Sequence, residues 1–497
     1  MSVLSILVFL PLAVAAVLLA MPRISDTAVS WTWITTTATE LVLVIVLWAN
    51  YTPSESGFAY EVNRSWIPSV NSGYHIGIDG LSLPLVAMTA TLFLACAIYS
   101  LRHTPRVRAF AALFLFLETV CLGLFVSLDL ILFFVFFDLS IVGMYFVIAG
   151  WGHHKAAQAA QKFFLYTFLG SLALLLGFIG LFVAAEPNTF DIVRLTEQNP
   201  LAESGTPGVL ILLTIVLGLA VKTPTIPFHT WLPPAHTEAP AAGSAILAGV
   251  LLKLGTYGFV RIAMPMLPDA WRTYAQAIVI IGVLSVLYGA LVALGQHDFK
   301  RMIAYTSVNH MGYIILAIGA TGLVTTTNTQ AQNLAVTGAV TQMVSHGLIT
   351  GALFLLTGVL HERGRTYDMN SYGGLAARAP RFAGLTAAAA FAALGLPGFS
   401  GFIAEFQIFT GSLPGAPIAT PLAFLGILIT AALFLRAFQR LFLGPPQATR
   451  AVADLTTPET ASIVPLIALA ILIGLFPRFL LDLIEPAAHT LGTLLNR

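Results

Sequence analysis

Apolar residues run along this chain in long blocks separated by short polar connections. A helix needs about 20 such residues to cross the hydrocarbon core of a bilayer. The blocks predict fourteen transmembrane helices, at about 3–20, 29–51, 80–100, 109–127, 129–150, 160–184, 209–229, 242–266, 273–295, 303–322, 334–360, 383–412, 420–441 and 460–483. The expected fold class is therefore an all-α polytopic membrane protein. The longest connections, 52–79 and 185–208, leave little room for a soluble domain.

Two segments are interrupted. Pro224 and Pro227 fall within the seventh (TIVLGLAVKTPTIPF), and Pro397, Gly398 and Gly401 within the twelfth (AALGLPGFSGFIAEF). Proline removes a backbone donor and clashes with the preceding turn, so each helix is expected to break there. Broken backbone at membrane depth persists only inside protein or beside a wet cavity. Each interrupted segment is the fourth in a block of five (4–8 and 9–13), the pattern of an internal repeat of inverted topology. The other reading is a pair of ordinary proline kinks.

Composition agrees with the pattern: 58% of residues are hydrophobic and 9% charged, against roughly 25% charged in soluble domains. The net charge of +1 comes with no basic block, so nucleic acid is not an expected partner and the lipid bilayer is. Cys96 and Cys121 lie in apolar segments without CxxC spacing, which argues against a disulfide or an iron–sulfur cluster. No His/Cys/carboxylate spacing suggests a metal, and no nucleotide or haem motif is present, so no cofactor is expected in this chain. Its energy is expected to come from an ion gradient or from partners. The N-terminal block lacks a basic flank and reads as a retained first helix. Connections after odd-numbered segments carry fifteen Lys/Arg, and those after even-numbered ones, with the C-terminal tail, carry six. The positive-inside rule then predicts a cytoplasmic first set and both termini on the outer side.

Against this background the ionisable residues inside apolar segments stand out: Glu118, Asp138, Lys222, Lys253 and Glu405. Each charge at the bilayer centre costs about 2.5–3.5 kcal/mol on insertion scales, so partners, water or altered protonation are required. Burial raises a carboxyl pKa and lowers a lysine pKa, whereas pairing reverses both, so a buried Lys beside an acid has two states. A row of such sites passes protons through water chains; the bland alternative is static helix–helix glue. Glu40, in the second segment, reads as interfacial or snorkelling. His310 and His346 lie in or at the edge of segments 10 and 11, while His229 and His236 follow the break in segment 7. Histidine suits a relay step, although one in an apolar helix is often only a hydrogen-bonded packing residue. His153 and His154 read as a solvated pair in a loop.

The run VKTPTIPFHTWLPPAHTEAPAAGSAILAGVLLKLGTYGFVR resembles the signature of the antiporter-like subunits of respiratory complex I (proton-translocating NADH-quinone oxidoreductase), within them subunit M. DFKRMIAYTSVNHMGY, MVSHGLITGALFLL and LGLPGFSGFIAEF match further segments in order, and with GIDGLSLP the resemblance extends from about 75 to 445. It implies N-terminal helices 1–3 over 1–108, inverted five-helix repeats over 109–266 and 267–445 with broken helices 7 and 12, and helix 14 over 446–497. It implies an Asp138–Lys222 charge pair on the input side, Lys253 as the central lysine, and Glu405 as the terminal group on the exit side. His229, His310 and His346 would link them, with Glu118 as a further member of the proton path. Glu405 favours subunit M, because subunits L and N usually carry lysine in helix 12; ending after segment 14 likewise argues against L. The family normally has glutamate where Asp138 stands, a reach shorter by about 1.5 Å. The implied function is proton translocation in the membrane arm of a quinone-reducing enzyme of a bacterial inner membrane. The partners would be other antiporter-like subunits and a peripheral redox arm holding flavin, iron–sulfur clusters and quinone. A multi-component Na+/H+ antiporter subunit is the alternative; a non-pumping scaffold would gain nothing from the buried charges.

Overall fold

In hydrocarbon every backbone N–H and C=O must find a partner within the protein, and helix satisfies them locally. The chain is helical almost throughout. The computed structural model describes residues 2–21, 23–52, 57–101, 104–202, 204–325, 327–445 and 452–496. Arg102, Arg450 and Arg497, counted in the loop-charge bias, lie outside them.

The first helices are α1 (Val3–Ala20), α2 (Asp26–Ala49), α3 (Leu83–Tyr99), α4 (Val107–Val126), α5 (Leu130–Trp151) and α6 (Ala156–Ala184). The short α7 (Ile192–Gln198) follows, then α8 (Thr206–Lys222), α9 (Leu232–Glu238) and a helix α10 over Ala241–Met266. The second half holds α11 (Pro268–Leu294), α12 (Phe299–Thr321), α13 (Thr329–Gly364), α14 (Pro380–Ala393), α15 (Ser400–Ser412), α16 (Ala419–Phe442), α17 (Thr457–Leu475) and α18 (Arg478–Leu495). Every apolar block read from the sequence contains helix. Among the described residues eleven helices are long and apolar enough to cross a membrane, with α3 and α8 shorter apolar helices.

Both predicted interruptions are present. Segment 7 ends as α8 at Lys222 and resumes as α9, and segment 12 divides into α14 and α15. The freed backbone groups find protein partners: Trp231 Nε1 donates to the Val221 carbonyl (2.9 Å), and the Ile226 amide to Ser285 Oγ (3.1 Å). α10 is continuous but contains two π-helical stretches, Leu247–Leu251 and Phe259–Ala263, which no residue pattern announced. Such widened turns often mark functional positions.

α10 and α13 are buried along their apolar lengths and α12 nearly so, whereas α1, α2, α6, α16 and α17 expose Leu, Val, Ile and Phe on an outer face suited to lipid. α11 and α12 approach closely because a Cβ on Gly282 would stand 2.6 Å from the Leu316 amide nitrogen. Small residues commonly permit such packing between membrane helices.

Three features depart from the sequence reading. The 52–79 connection forms an antiparallel hairpin, β1 (Ala59–Ile67) and β2 (Ser72–Ile78), paired from Ala59↔Ile78 to Ile67↔Ser72. The last segment stops at Leu475, and α18 is a separate amphipathic helix burying Leu480, Ile484, Ala488, Leu491 and Leu495 along one face. Arg261, counted as a loop charge, stands inside α10; it is buried, ion-paired to Asp79 (2.6 Å) and bonded to Tyr257 Oη (2.9 Å). Asp79 also accepts from the Leu81 and Ser82 amides, so the GIDGLSLP stretch anchors the start of α3 to α10.

A candidate proton-conducting axis

Lys253 follows the first π-helical stretch of α10 and is fully buried. Its Nζ donates to the Ala248 carbonyl within that stretch (2.5 Å) and lies 2.6 Å from His346 Nδ1 on α13. The His346 ring is 5.3 Å from that of His310 on α12, and His310 is 6.3 Å from Tyr313, nearly one turn further on. Tyr313 is in turn within electrostatic range of Glu405 on α15. Four helices thus bring four sequence-predicted residues, one from each (Lys253, His346, His310 and, through Tyr313, Glu405), into one series.

The break before α15 makes room for its terminal carboxyl. Gly395 has φ +69°, a region L side chains rarely adopt, and a Cβ there would stand 2.1 Å from Glu405 Oε2. Glu405 lines a cavity of about 670 Å³ with Pro397, Phe402, Phe409, Thr420 and Phe424, opening at the side of the bundle between α15 and α16.

The input side differs from its expectation. Among the described residues four ion pairs occur, and none joins Asp138 to Lys222. Lys222 Nζ donates to Ser140 Oγ (2.8 Å) and sits 5.0 Å over the Phe137 ring. Asp138 instead faces Ser171 of α6, with Lys222 in electrostatic range and one carboxylate oxygen lacking a hydrogen-bond partner. The reason is helical geometry: residues two apart point to different faces. The face of α5 that offers Ser140 to Lys222 turns the short Asp138 side chain away.

Glu118 on α4 is wholly buried with neither carboxylate oxygen hydrogen-bonded, and its electrostatic neighbour is Glu40. Glu40 is itself fully buried with both oxygens unpartnered, which corrects its reading as an interfacial residue. The polar Thr36 and Thr37 and the buried Trp33 on the same helix turn that face inward. His229 is buried against the rings of Tyr288 (5.1 Å) and Tyr305 (6.4 Å), with Lys162 as its charged neighbour. No hydrogen bond joins it to Lys222 or Lys253, so its expected linking role has no direct contact here.

Two further residues join the axis. His236, on α9, is fully buried, stacks on Phe354 (4.4 Å) with both ring nitrogens unpartnered, and has Lys253 and Lys300 as its charged neighbours. Lys300 is also fully buried, although its position beside the loop before α12 made it read as a loop charge. The sequence signal was weak, because DFKR has the look of a solvated helix start. Among the described residues no group of three or more His, Cys, Asp or Glu could hold a metal.

Charged and titratable side chains this deep in an apolar helix bundle, aligned across four helices, define a membrane protein that moves ions. The chain belongs to the NADH:quinone oxidoreductase/Mrp antiporter transmembrane family, whose sequence profile matches residues 127–430. NADH-quinone oxidoreductase subunit M of Rhodobacter capsulatus is 38% identical over 98% of this chain and 96% of its own length. A chain of respiratory complex I from Thermus thermophilus matches with TM-score 0.89 and 29% identity, covering 99% of each. A chain of the Mrp complex from Dietzia sp. matches with TM-score 0.85 over 100% of each; at 21% identity this likeness shows the fold alone.

Proposed function

We propose that this chain is the proton-translocating subunit M of a quinone-reducing respiratory complex. Protons move along Lys253, His346, His310 and Glu405, with Asp138, Lys222 and Glu118 on the input side and His229 flanking them. The carrying observation is the contact series from Lys253 through His346 and His310 to Tyr313 beside Glu405. The antiporter reading shares this fold, but similarity over nearly the full length to a subunit M favours the redox complex. Partner chains then include other antiporter-like subunits and a peripheral arm holding flavin, iron–sulfur clusters and quinone. This chain contributes no redox step, and the membrane is a bacterial inner membrane with both chain termini outside.

The division into N-terminal helices (1–108), two inverted five-helix repeats (109–266 and 267–445) and a C-terminal part (446–497) has structural support. Asp129, the N-cap of α5, forms an antiparallel bridge with Asp191, and Asp298, the N-cap of α12, forms the same bridge with Asp368. Each bridge joins the start of a repeat's second helix to the approach to its broken fourth helix. With the segments at 129–150, 160–184, 209–229, 242–266 and 273–295 each read as one crossing, the two bridges would fall on opposite membrane faces, as inverted repeats require.

The test uses the intact complex, purified with its partners and reconstituted in vesicles. Lys253→Met and Glu405→Gln are expected to assemble normally and lose proton pumping. An unchanged proton-to-electron ratio in both would overturn the role.

A further inference from the structure

The mouth of the molecule beside the loops between α5 and α6 and between α13 and α14 holds a second set of titratable groups. A cavity of about 510 Å³ opens there, lined among others by His153, His361, Glu362, Arg363, Arg365 and Glu459. His153 was read as solvated. Instead its backbone N–H donates to the Glu238 carbonyl (2.8 Å), and its ring lies 4.6 Å from that of His361. His361 stacks on Tyr367 at 4.4 Å, and His153 Nε2 is 3.0 Å from Tyr367 Oη.

Tyr367 leads inward. Lys300 Nζ lies 3.3 Å from the same hydroxyl and donates to the Ala239 carbonyl (2.5 Å). No ion pair holds Lys300 among the described residues. Beyond it stands His236, whose unpartnered ring has both Lys300 and Lys253 as charged neighbours. We propose that this cavity is a proton uptake port, and that His153, Tyr367, Lys300 and His236 carry protons from it to Lys253. This deepens the proton-translocating reading and rests on it.

The groups suit the task. Burial first, then the electrostatic effect of Lys300, His361 and His154, pulls the His153 pKa down to about 4. The ring is therefore neutral at neutral pH and has one nitrogen free to accept. A proton arriving from cavity water protonates His153, and Nε2–H donates to Tyr367 Oη as the tyrosine proton passes to a neutral Lys300. The ring returns to its neutral form and the ammonium holds the proton. Lys300 then releases it to His236 through a swing of its chain or one bridging water, because no direct hydrogen bond joins the two. The proton count is conserved at each transfer. Of the charged groups around it, Asp298 and Glu238 are the acidic ones that face Lys300.

The intact complex in vesicles supplies the test, with Lys253→Met as the control on the axis itself. Tyr367→Phe keeps the stack on His361 and removes only the hydroxyl. It is expected to slow pumping by about tenfold, less than the roughly 10²–10⁴-fold usual for losing a positioned proton-transfer group, because cavity water partly replaces it. His153→Ala is expected to slow pumping likewise and to be rescued by imidazole but not by pyrazole, a ring of the same size and far lower basicity. A purely structural role for His153 would give equal rescue by both, or none, and would overturn the port. Normal pumping in Tyr367→Phe and His153→Ala with loss in Lys253→Met would overturn the port and leave the axis standing. Normal pumping in Lys253→Met would remove the axis and the port together. Should Tyr367→Phe fail to assemble, the imidazole and pyrazole comparison decides alone.

Discussion

Asp138 and Lys222 sit within electrostatic range without forming an ion pair, Asp138 facing Ser171 and Lys222 bonded to Ser140. Asp138→Glu extends the carboxylate by about 1.5 Å and is expected to preserve pumping, whereas Asp138→Asn removes the charge that biases Lys222 and should weaken it. Proton-to-electron ratios of the two variants distinguish these outcomes; equal ratios would remove Asp138 from the path. Gly395 offers a second test at this scale. Its positive φ and the 2.1 Å approach of Glu405 Oε2 to any Cβ mean that Gly395→Ala displaces the carboxyl. Overpacking of this kind costs about 1–3 kcal/mol, so a lower melting temperature and slower pumping are expected together. Gly384→Ala, on α14 with no atom within 4 Å of the added carbon, serves as the neutral comparison.

At the scale of elements, the hairpin acts as a clasp over one face of the bundle. Asp129 accepts from Ser72 Oγ and the Gly73 amide, both at 3.0 Å, while capping α5. His75 is held between Asp191 and Glu61, each at 2.8 Å. Burial opposes the charged imidazole, but the two carboxylates outweigh it and raise its pKa above the ordinary 6.5. Burial likewise opposes the Asp191 carboxylate, and His75 with the Arg194 amide outweighs it, lowering that pKa below 3.8. A raised folded-state pKa gives stability that is complete below the unfolded value and lost as pH rises through the folded one; a depressed one gives stability lost as pH falls through it. The clasp is therefore fully held between about 3.8 and 6.5 and loosens on the alkaline side as His75 deprotonates. Hydrogen-exchange protection factors over β2 should fall as pH rises above that window in the wild type and stay flat in His75→Gln. A pH-independent protection factor in the wild type would contradict the clasp.

For the whole molecule, the long apolar blocks and the prolines at 224, 227 and 397 were legible because hydrocarbon and backbone geometry admit few alternatives. The buried charges were legible for a similar reason, since their insertion cost singles them out. What escaped were features decided by tertiary contacts. The strands of the 59–78 hairpin are held by distant carboxylates on Asp129 and Asp191. The π-helical turns around Lys253 leave no mark in a helical residue pattern, and the direction of Asp138 depends on which face of α5 meets α8. Lys300 was hidden by its place in a run that reads as a polar helix start; the ring of Tyr367 and the Ala239 carbonyl help enclose the side chain. The most direct measurement is infrared difference spectroscopy of the intact complex during turnover, comparing wild type with Glu405→Gln. A carboxyl band that appears and decays with turnover in the wild type and is missing in the variant is the predicted result. Identical spectra from the two would mean that Glu405 never changes protonation, and a conductor ending at that residue would be contradicted.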